Sequence, residues 1–284
     1  MPADGVTAPA IGNGDKATVP ANGNDAPARV ASALTAGGLL RERYRSGTVY
    51  GSFLIELPTP RAVRALALAG FDFLEIDLEH SPFDVERMSQ LASEAQLLGM
   101  PAIVRVWTPD RGLIGKVLDA GANGIMVPHV ASAAEAAEVV QAARYAPVGS
   151  RGIAPLISYA ATPFPQTELG NDVLIVVQIE GREGLQACGS IAAVPGVDAV
   201  FVGVYDLSQS LGQPGNLTSP EIADALSQVA GVAADTMLGI YVDDPALSGT
   251  LAQQGFRLQC VSFDGRMLVE GARAMLAAAG VGTR

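Results

Sequence analysis

The chain has 284 residues, of which 49% are hydrophobic and 5% aromatic, and it carries a formal net charge of −11. This length suits one large α/β domain or two small ones, and the negative charge argues against a nucleic-acid binder or a protein that binds anionic membranes. Two cysteines imply no disulfide framework and favour a reducing, cytoplasmic compartment. No apolar run approaches transmembrane length, and the first residues lack the basic and apolar parts of a signal peptide.

Residues 1 to 35 are rich in Ala, Gly, Pro, Asn and Asp and show no hydrophobic periodicity. Such a stretch cannot bury enough apolar surface to offset the entropy that it would lose on ordering. We therefore expect a disordered N-terminal tail, followed by a single folded domain over residues 36 to 284.

Eight aliphatic runs of strand length follow the tail. They are Tyr50–Ile55, Phe71–Ile76, Ala102–Val106, Gly124–Val127, Leu174–Ile179, Ala199–Val202, Met237–Tyr241 and Leu258–Ser262. Segments with helical spacing separate most of these runs. They include Pro60–Ala69, Val85–Leu98 with Asp84 as its N-cap, Ser132–Tyr145, Pro220–Ala234, Pro245–Gln254 and Gly265–Ala279. Strands that alternate with helices predict right-handed βαβ units and a parallel sheet.

Eight such units in a chain of this length predict a (β/α)₈ TIM barrel. The alternative is a doubly wound open sheet, which is disfavoured by the count of eight strands. It is also disfavoured because no glycine-rich dinucleotide fingerprint follows the first strand. The segment from Arg151 to Asp172 is long and contains three prolines, and a loop of this length in a compact domain is often functional.

The inventory of reactive side chains limits the chemistry. The sequence has two lysines, Lys16 in the tail and Lys116 in the helix after the third strand. Neither is placed for a Schiff-base mechanism, which needs a lysine at the mouth of the barrel. Two histidines are too few for a three-histidine zinc site, and neither cysteine lies in the context of a nucleophile.

Polar residues gather instead where the predicted strands end. They are Asp77, Glu79 and His80 after the second strand, Arg105 on the third, His129 after the fourth, Gln178 and Glu180 on the fifth, and Asp206 after the sixth. The carboxyl ends of the strands form the catalytic face of a parallel barrel, so these side chains should face one rim. Glu180 and Asp206 are the clearest pair, because two carboxylates with few other ligands nearby suit a hard divalent cation.

Each of these residues also has a structural interpretation. Glu180 and Asp206 could each cap the helix that follows its strand. His80 could be a capping or surface histidine, and Glu79 could be a solvated loop charge. His129 fits packing or support of the site better than catalysis.

Arg105 and Asp119 indicate specific partners. A cation at the end of an apolar strand, as at Arg105, needs a counter-charge, commonly a substrate carboxylate. Asp119 lies near the end of the third helix, where a negative charge opposes the helix dipole. This placement points to a partner such as His80 or a neighbouring subunit.

Six motifs occur in a fixed order along the chain. They are Ala-Gly-Phe-Asp-Phe-Leu-Glu-Ile-Asp-Leu-Glu-His-Ser, Val-Arg-Val, Leu-Asp-Ala-Gly-Ala-Asn-Gly-Ile-Met-Val-Pro, Arg-Tyr-Ala-Pro-Val-Gly-Ser-Arg-Gly, Val-Gln-Ile-Glu and Gly-Val-Tyr-Asp-Leu-Ser. Each motif alone is a weak signal, but together they are specific. Over about residues 48 to 280 the chain resembles the metal-dependent class II pyruvate aldolases of the HpcH/HpaI aldolase/citrate lyase family. One departure is Gly203-Val204, where the family often has Gly-Pro.

The resemblance implies a barrel of the phosphoenolpyruvate/pyruvate-binding type that catalyses reversible aldol cleavage or addition through a pyruvate enolate and an aldehyde. It implies that Glu180 and Asp206 bind Mg²⁺, Mn²⁺ or Co²⁺, with pyruvate or another 2-oxo acid as substrate. Backbone amides at Tyr205 and Asp206 would hold the substrate carboxylate, and Gln178 would line the pocket. Arg105 would steady the enolate.

The resemblance also implies that His80, with Asp77 or Asp119, moves the proton on the aldol hydroxyl. Members of the family are commonly hexamers, trimers of dimers that exchange their last helix, and Gly265–Ala279 is apolar enough for such docking. Three alternatives stay open. They are specialised biosynthetic enolate chemistry similar to that of macrophomate synthase, a coenzyme A thioester lyase for which no basic cluster stands out, and a barrel that binds a keto acid without turnover.

Overall fold

The computed structural model describes residues 36 to 154, 170 to 232 and 236 to 280. The predicted tail, most of the 151 to 172 segment and the end of the predicted helix Pro220–Ala234 lie outside these ranges. Within them, eight parallel strands close into a barrel in sequence order, with β1 paired to β8. The strands are β1 (Val49–Leu54), β2 (Phe73–Asp77), β3 (Ala102–Arg105), β4 (Gly124–Val127), β5 (Leu174–Ile179), β6 (Ala199–Val202), β7 (Met237–Val242) and β8 (Phe256–Phe263). The predicted (β/α)₈ class is confirmed, and the open sheet is excluded.

Helices surround the barrel. They are α1 (Ala36–Ser46), α2 (Pro60–Ala69), α3 (Val85–Leu97), α4 (Arg111–Asp119), α5 (Ala133–Ala143), α6 (Arg182–Ala192), α7 (Val204–Ser210), α8 (Pro220–Ala230), α9 (Ser248–Gln253) and α10 (Asp264–Ala278). Local chemistry sets several of the starts, because Thr59, Asp84 and Ser132 each cap a helix by accepting a backbone hydrogen bond. The segment predicted as one helix over Pro245–Gln254 divides into a 3₁₀ turn, Pro245–Leu247, and α9.

The core has two layers because successive side chains of a strand point to opposite faces. Leu74 and Ile76 of β2 face the helices, whereas Phe73 faces the barrel interior. Burial on both faces explains why the strands are nearly continuous apolar runs in the sequence. On the inner face, charged side chains occur at Glu75 in the middle of β2 and at Asp77 and Arg105 toward the carboxyl ends, and the latter two place the site at that end.

Helix α1, which the sequence analysis did not predict, packs at the end of the barrel where the strands begin. Leu40 and Tyr44 join the inner core. Arg41 binds Asp172 and Asp198, in each case with 2.7 Å between the paired atoms. These contacts close the amino-terminal end, so ligands must enter from the other end.

The last helix, α10, buries only its first two residues, Asp264 and Gly265. The Asp264 carboxylate accepts hydrogen bonds from three backbone N–H groups that follow β1. Met267 of α10 is partly buried against the core, but the large apolar side chains beyond it are exposed, including Leu268 at 62% and Met275 at 76%. No helix in the described ranges is long and apolar enough to cross a membrane.

Candidate active site

A cavity of about 190 Å³ opens at the carboxyl ends of the strands. Its lining residues lie on six of the strands, or follow β1, β2 or β6. They are Phe53, Ile55, His80, Arg105, Gln178, Phe201, Gly203, Val204, Tyr205, Asp206, Tyr241 and Phe263. Five of the residues predicted for the site therefore line a single cavity, as expected for the catalytic face of a barrel.

Arg105 is held by Asp77 in a two-pronged ion pair. The Arg105 Nε lies 3.0 Å from Asp77 Oδ1, and Nη2 lies 2.7 Å from Oδ2. Both residues are buried, and the guanidinium carbon lies 4.9 Å from the centre of the Phe53 ring. Arg105 thus has its counter-charge within the protein rather than depending on a substrate carboxylate, and the planar fork holds its orientation.

Glu79 lies inside the site, so its interpretation as a solvated loop charge was wrong. Its side chain is only 12% exposed. One carboxylate oxygen lies 3.4 Å from Arg105 Nε and 3.8 Å from His80 Nε2, and the other lies 3.6 Å from His129 Nε2. Burial raises the pKa of Glu79 from its ordinary value, and the three neighbouring basic groups oppose that rise.

Two groups of His129 contact the same carboxylate oxygen of Glu180. Its backbone N–H donates to Glu180 Oε1 at 2.7 Å, and its Nδ1 lies 2.9 Å from the same oxygen. The residue has a φ of 57°, in the left-handed region that a non-glycine residue rarely adopts. Strained backbone of this kind concentrates at functional sites, which agrees with the predicted supporting role of His129.

Glu180 and Asp206 do not cap helices. The N-cap of α6 is Gly181, and α7 begins at Val204, so Asp206 lies within its first turn. The Glu180 Oε2 atom is buried and has no hydrogen-bond partner. Burial raises the pKa of Glu180 to about 7, against the opposing effect of His129. A buried carboxylate oxygen without a partner needs an explanation.

The surroundings of Glu180 fit a hard divalent cation. The Gln178 Oε1 atom is also buried without a hydrogen-bond partner. The negative charge of Asp206 adds to the rise in the pKa of Glu180. A side chain at Gly203 would collide with this group, because its Cβ would lie 2.4 Å from Glu180 Oε2. Oxygen donors of this kind suit Mg²⁺ or Mn²⁺. Among the described residues no group of three His, Cys, Asp or Glu side chains could hold a metal, so other oxygen donors would complete the shell.

His80 lines the cavity, with a side chain that is 59% exposed. Asp77 contacts it through the His80 backbone N–H, 3.3 Å from Oδ1, because both Asp77 oxygens bind Arg105. Asp119 binds Arg151 at 2.5 Å and ends α4, near the start of β4 and therefore at the other end of the barrel. Within one chain Asp119 and His80 are separate, so their joint role stays a prediction that requires a neighbouring subunit.

The aromatic side of the cavity was not predicted from the sequence. Phe53, Phe201 and Tyr241 point inward near the carboxyl ends of their strands, and Phe263 ends β8. Each is an ordinary core residue by local pattern. The alternation of side chains between the two faces of a strand could have revealed them, because it places these positions on the same inner face as Arg105.

Comparison with known proteins identifies the family of the chain. A family model described as HpcH/HpaI aldolase/citrate lyase matches residues 52–271. The chain belongs to the HpcH/HpaI aldolase/citrate lyase family. It is 36% identical to a hydroxypyruvate/pyruvate aldolase of Pseudomonas aeruginosa, over 83% of this chain and 90% of that protein.

Solved structures of family members and of related enzymes share the barrel. An HpcH/HpaI aldolase from Desulfitobacterium hafniense DCB-2 has a TM-score of 0.78 and 30% identity, covering 84% of this chain and 96% of that one. Macrophomate synthase has a TM-score of 0.70 and 26% identity, with 89% of each chain covered. The predictions of the family and of a carbon–carbon lyase of the aldolase type are confirmed.

Proposed function

We propose that this HpcH/HpaI family member activates pyruvate or another 2-oxo acid and adds it reversibly to an aldehyde, with a divalent cation in the site. The observation that carries the proposal is the pair of buried, unpartnered oxygen atoms on Glu180 and Gln178, in a site whose cavity is also lined by Asp206 and Arg105. The similarity to a hydroxypyruvate/pyruvate aldolase supports a 2-oxo acid substrate.

Glu180 and Asp206 would hold the cation, which we propose to be Mg²⁺, Mn²⁺ or Co²⁺. When bound, such a cation supplies Lewis acidity that makes the methyl protons of a 2-oxo acid more acidic. His129 holds one Glu180 oxygen through two contacts, which leaves Oε2 available for this role. Gln178 presents a neutral oxygen from the neighbouring wall.

The remaining residues would bind the substrate and stabilise the negative charge of the enolate. Backbone N–H groups at Tyr205 and Asp206, in the first turn of α7, would donate hydrogen bonds to the substrate carboxylate. Arg105 directs its positive charge into the cavity and stabilises the oxygen that becomes negative in the enolate. Asp77 keeps that guanidinium in position, so little reorganisation accompanies the reaction.

His80 is the proposed proton carrier. It lines the cavity and is exposed enough to exchange protons with water. It would take a proton from the substrate or return one to the aldol oxygen, as a general acid–base group does. Asp77 orients it through the His80 backbone, and Asp119 would take part only from a neighbouring subunit.

Chelation and substitution test this proposal. Activity should vanish with EDTA and return with Mg²⁺, Mn²⁺ or Co²⁺, and Glu180→Gln or Asp206→Asn should abolish Mn²⁺ binding in calorimetry while circular dichroism stays native. The half-reaction is visible without an aldehyde, because pyruvate methyl protons should exchange in deuterated water. Full activity after exhaustive chelation, or no exchange with metal and pyruvate bound, would overturn the proposal.

A second candidate is a specialised biosynthetic reaction of the enolate, as in macrophomate synthase. The structural likeness to that enzyme and the aromatic wall of the cavity favour it. A coenzyme A thioester lyase fits less well, because Arg105, the one lysine or arginine among the described cavity residues, already binds Asp77.

We further propose that the chain assembles through α10 into a hexamer. The exposed apolar residues of that helix, Leu268, Val269, Met275 and Leu276, support a docked neighbour, and light scattering would give the mass. Cys188 and Cys260 are free and buried, which supports a reducing compartment such as the cytoplasm.

A further inference from the structure

One wall of the cavity is a continuous run of four aromatic rings. The ring centroids of Phe201 and Phe53 lie 6.4 Å apart, those of Phe53 and Tyr241 lie 6.1 Å apart, and those of Tyr241 and Tyr205 lie 5.9 Å apart. Phe201 and Phe53 are buried at the floor, whereas Tyr205 is 48% exposed at the rim. The wall therefore extends from the reacting end of the cavity to its opening, with Tyr241 in the middle.

Arg105 lies at the inner end of this wall, where the 2-oxo acid would bind, with its guanidinium carbon 4.9 Å from the centre of the Phe53 ring. Arg105 is occupied by Asp77 and Glu79, and Gln178 and Asp206 belong to the proposed cation site. The side chains that continue the aromatic wall are also apolar, and they are Ile55, Val204 and Phe263. A second substrate that follows this wall meets rings and aliphatic groups.

At the rim, Arg266 is paired with two carboxylates, those of Asp243 and Glu270. The Tyr205 hydroxyl donates a hydrogen bond to Asp243 Oδ1 at 2.6 Å, and Arg266 binds the same oxygen. Arg266 also binds Glu270, with 2.7 Å between Nε and Oε1. This cation is therefore shared between two carboxylates, and it is not available to an acidic ligand.

Arg105 is the one lysine or arginine among the described residues that line the cavity, and His80 is the proposed proton carrier. If the acceptor carried a carboxylate or phosphate, that charge would lose its hydration in the cavity and would gain no opposite charge in exchange, which is unfavourable. An apolar acceptor loses little on leaving water and gains contact with the rings.

We infer that the acceptor is an uncharged apolar or aromatic aldehyde, and that Tyr241 is a specificity-determining residue for it. This inference deepens the proposed function and rests on it. In the reaction, the pyruvate methyl carbon loses a proton and forms a bond to the aldehyde carbon, while the aldehyde oxygen takes up a proton. Benzaldehyde represents the predicted class, and succinic semialdehyde represents an acceptor with a second acidic group.

A competition experiment tests the inference. The full-length enzyme with Mn²⁺ and pyruvate is given equal concentrations of the two aldehydes, and the ratio of products reports the ratio of their kcat/KM values. We expect the benzaldehyde product to dominate by about tenfold or more, as one apolar group can provide. Tyr241→Ala should reduce the ratio about tenfold, and Tyr241→Phe should keep it because the ring remains. Tyr50→Ala, at an exposed tyrosine outside the cavity, is the matched control and should leave the ratio unchanged.

The outcomes separate this inference from the proposed function. Pyruvate exchange in deuterated water with succinic semialdehyde as the preferred acceptor would overturn the inference and leave the aldolase proposal standing. An unchanged ratio in Tyr241→Ala would overturn the role of Tyr241. If that variant does not fold, Tyr241→Leu decides, because it keeps side-chain volume and removes the ring. If bound pyruvate showed no exchange of its methyl protons, both the aldolase proposal and the inference about the acceptor would be overturned.

Discussion

Glu75 is an acidic side chain in the middle of the barrel that has no hydrogen-bond partner. It lies on the inner face of β2 between Phe73 and Asp77, it is fully buried, and neither carboxylate oxygen accepts a hydrogen bond. The ionisable groups that face it are Arg105, Asp77 and the Cys260 thiol of β8. Desolvation raises the pKa of Glu75 well above its ordinary value, Asp77 adds to the rise, and Arg105 opposes it. We expect the native protein to keep this proton over a wider pH range than the unfolded chain.

This difference makes stability depend on pH in a defined direction. In the unfolded chain Glu75 releases its proton near the ordinary value of 4.5, whereas in the native state it does so only at the raised pKa. Between these two values the native state binds the extra proton, so the free energy of unfolding falls as pH rises, by up to about 1.4 kcal/mol per pH unit. The stabilising contribution of the Glu75 proton is fully present below the pKa of the unfolded state, and it is lost as pH rises through the pKa of the native state.

Two substitutions separate ionisation from burial. Glu75→Gln keeps the size and polarity but cannot ionise, so its stability relative to wild type should increase with pH. Glu75→Leu also removes the unpartnered polar atoms, whose burial costs about 1–3 kcal/mol, and it should be the more stable variant throughout. Urea unfolding followed by circular dichroism from about pH 5 to about pH 8.5, at constant protein and metal concentration, measures both effects. Exposed Glu138→Gln is the matched control. A pH-independent difference between Glu75→Gln and wild type would refute the reasoning.

Four further predictions concern the site and the tail. Arg105→Ala should slow pyruvate methyl exchange about 100-fold or more, and Arg105→Lys should recover only part of the rate because a point charge cannot replace the planar fork; equal rates in wild type and Arg105→Ala would contradict this role. Gly203→Ala should abolish Mn²⁺ binding in calorimetry and lower the thermal midpoint while circular dichroism stays native, since its Cβ would lie 2.4 Å from Glu180 Oε2 and overpacking costs about 1–3 kcal/mol; unchanged Mn²⁺ affinity would speak against that cation site. Borohydride with pyruvate should leave Lys116 unmodified in mass spectrometry, and a reduced-pyruvate adduct there would reverse the class II assignment. Deleting residues 1–35 should leave the thermal midpoint and turnover nearly unchanged, and a large loss of either would show that the tail docks onto the barrel.

The strands and several helix ends followed from local pattern. The observed β4, β5 and β6 have the predicted bounds, because a parallel strand that is buried on both faces is a short continuous apolar run. Asp84 marked the start of α3 because its side chain satisfies a free backbone N–H there. Helix α1 was missed, since its stability comes from Leu40 and Tyr44 in a distant core rather than from its own sequence.

The residues of the site could also be located, because polar side chains at the ends of apolar strands stand out in the sequence. Their partners could not. Arg105 was expected to need a counter-charge, commonly a substrate carboxylate, and is paired with Asp77. Glu79 was grouped with the rim residues, with a solvated loop charge as the alternative, and lies between Arg105 and His129. Nothing in the local sequence of Glu75 distinguishes an inner-face carboxyl from a surface one.

The amino-acid sequence by itself determined the number, order and direction of the strands and the end of the barrel that carries polar groups, since these depend on patterns within single segments. Which side chains meet was decided by the tertiary structure. Asp77 lies beside Arg105 because β2 and β3 pair in that register, and the four rings of the cavity wall come from β1, β6, α7 and β7. Register and barrel closure arise from packing between segments that are far apart in the chain, and no single segment encodes them.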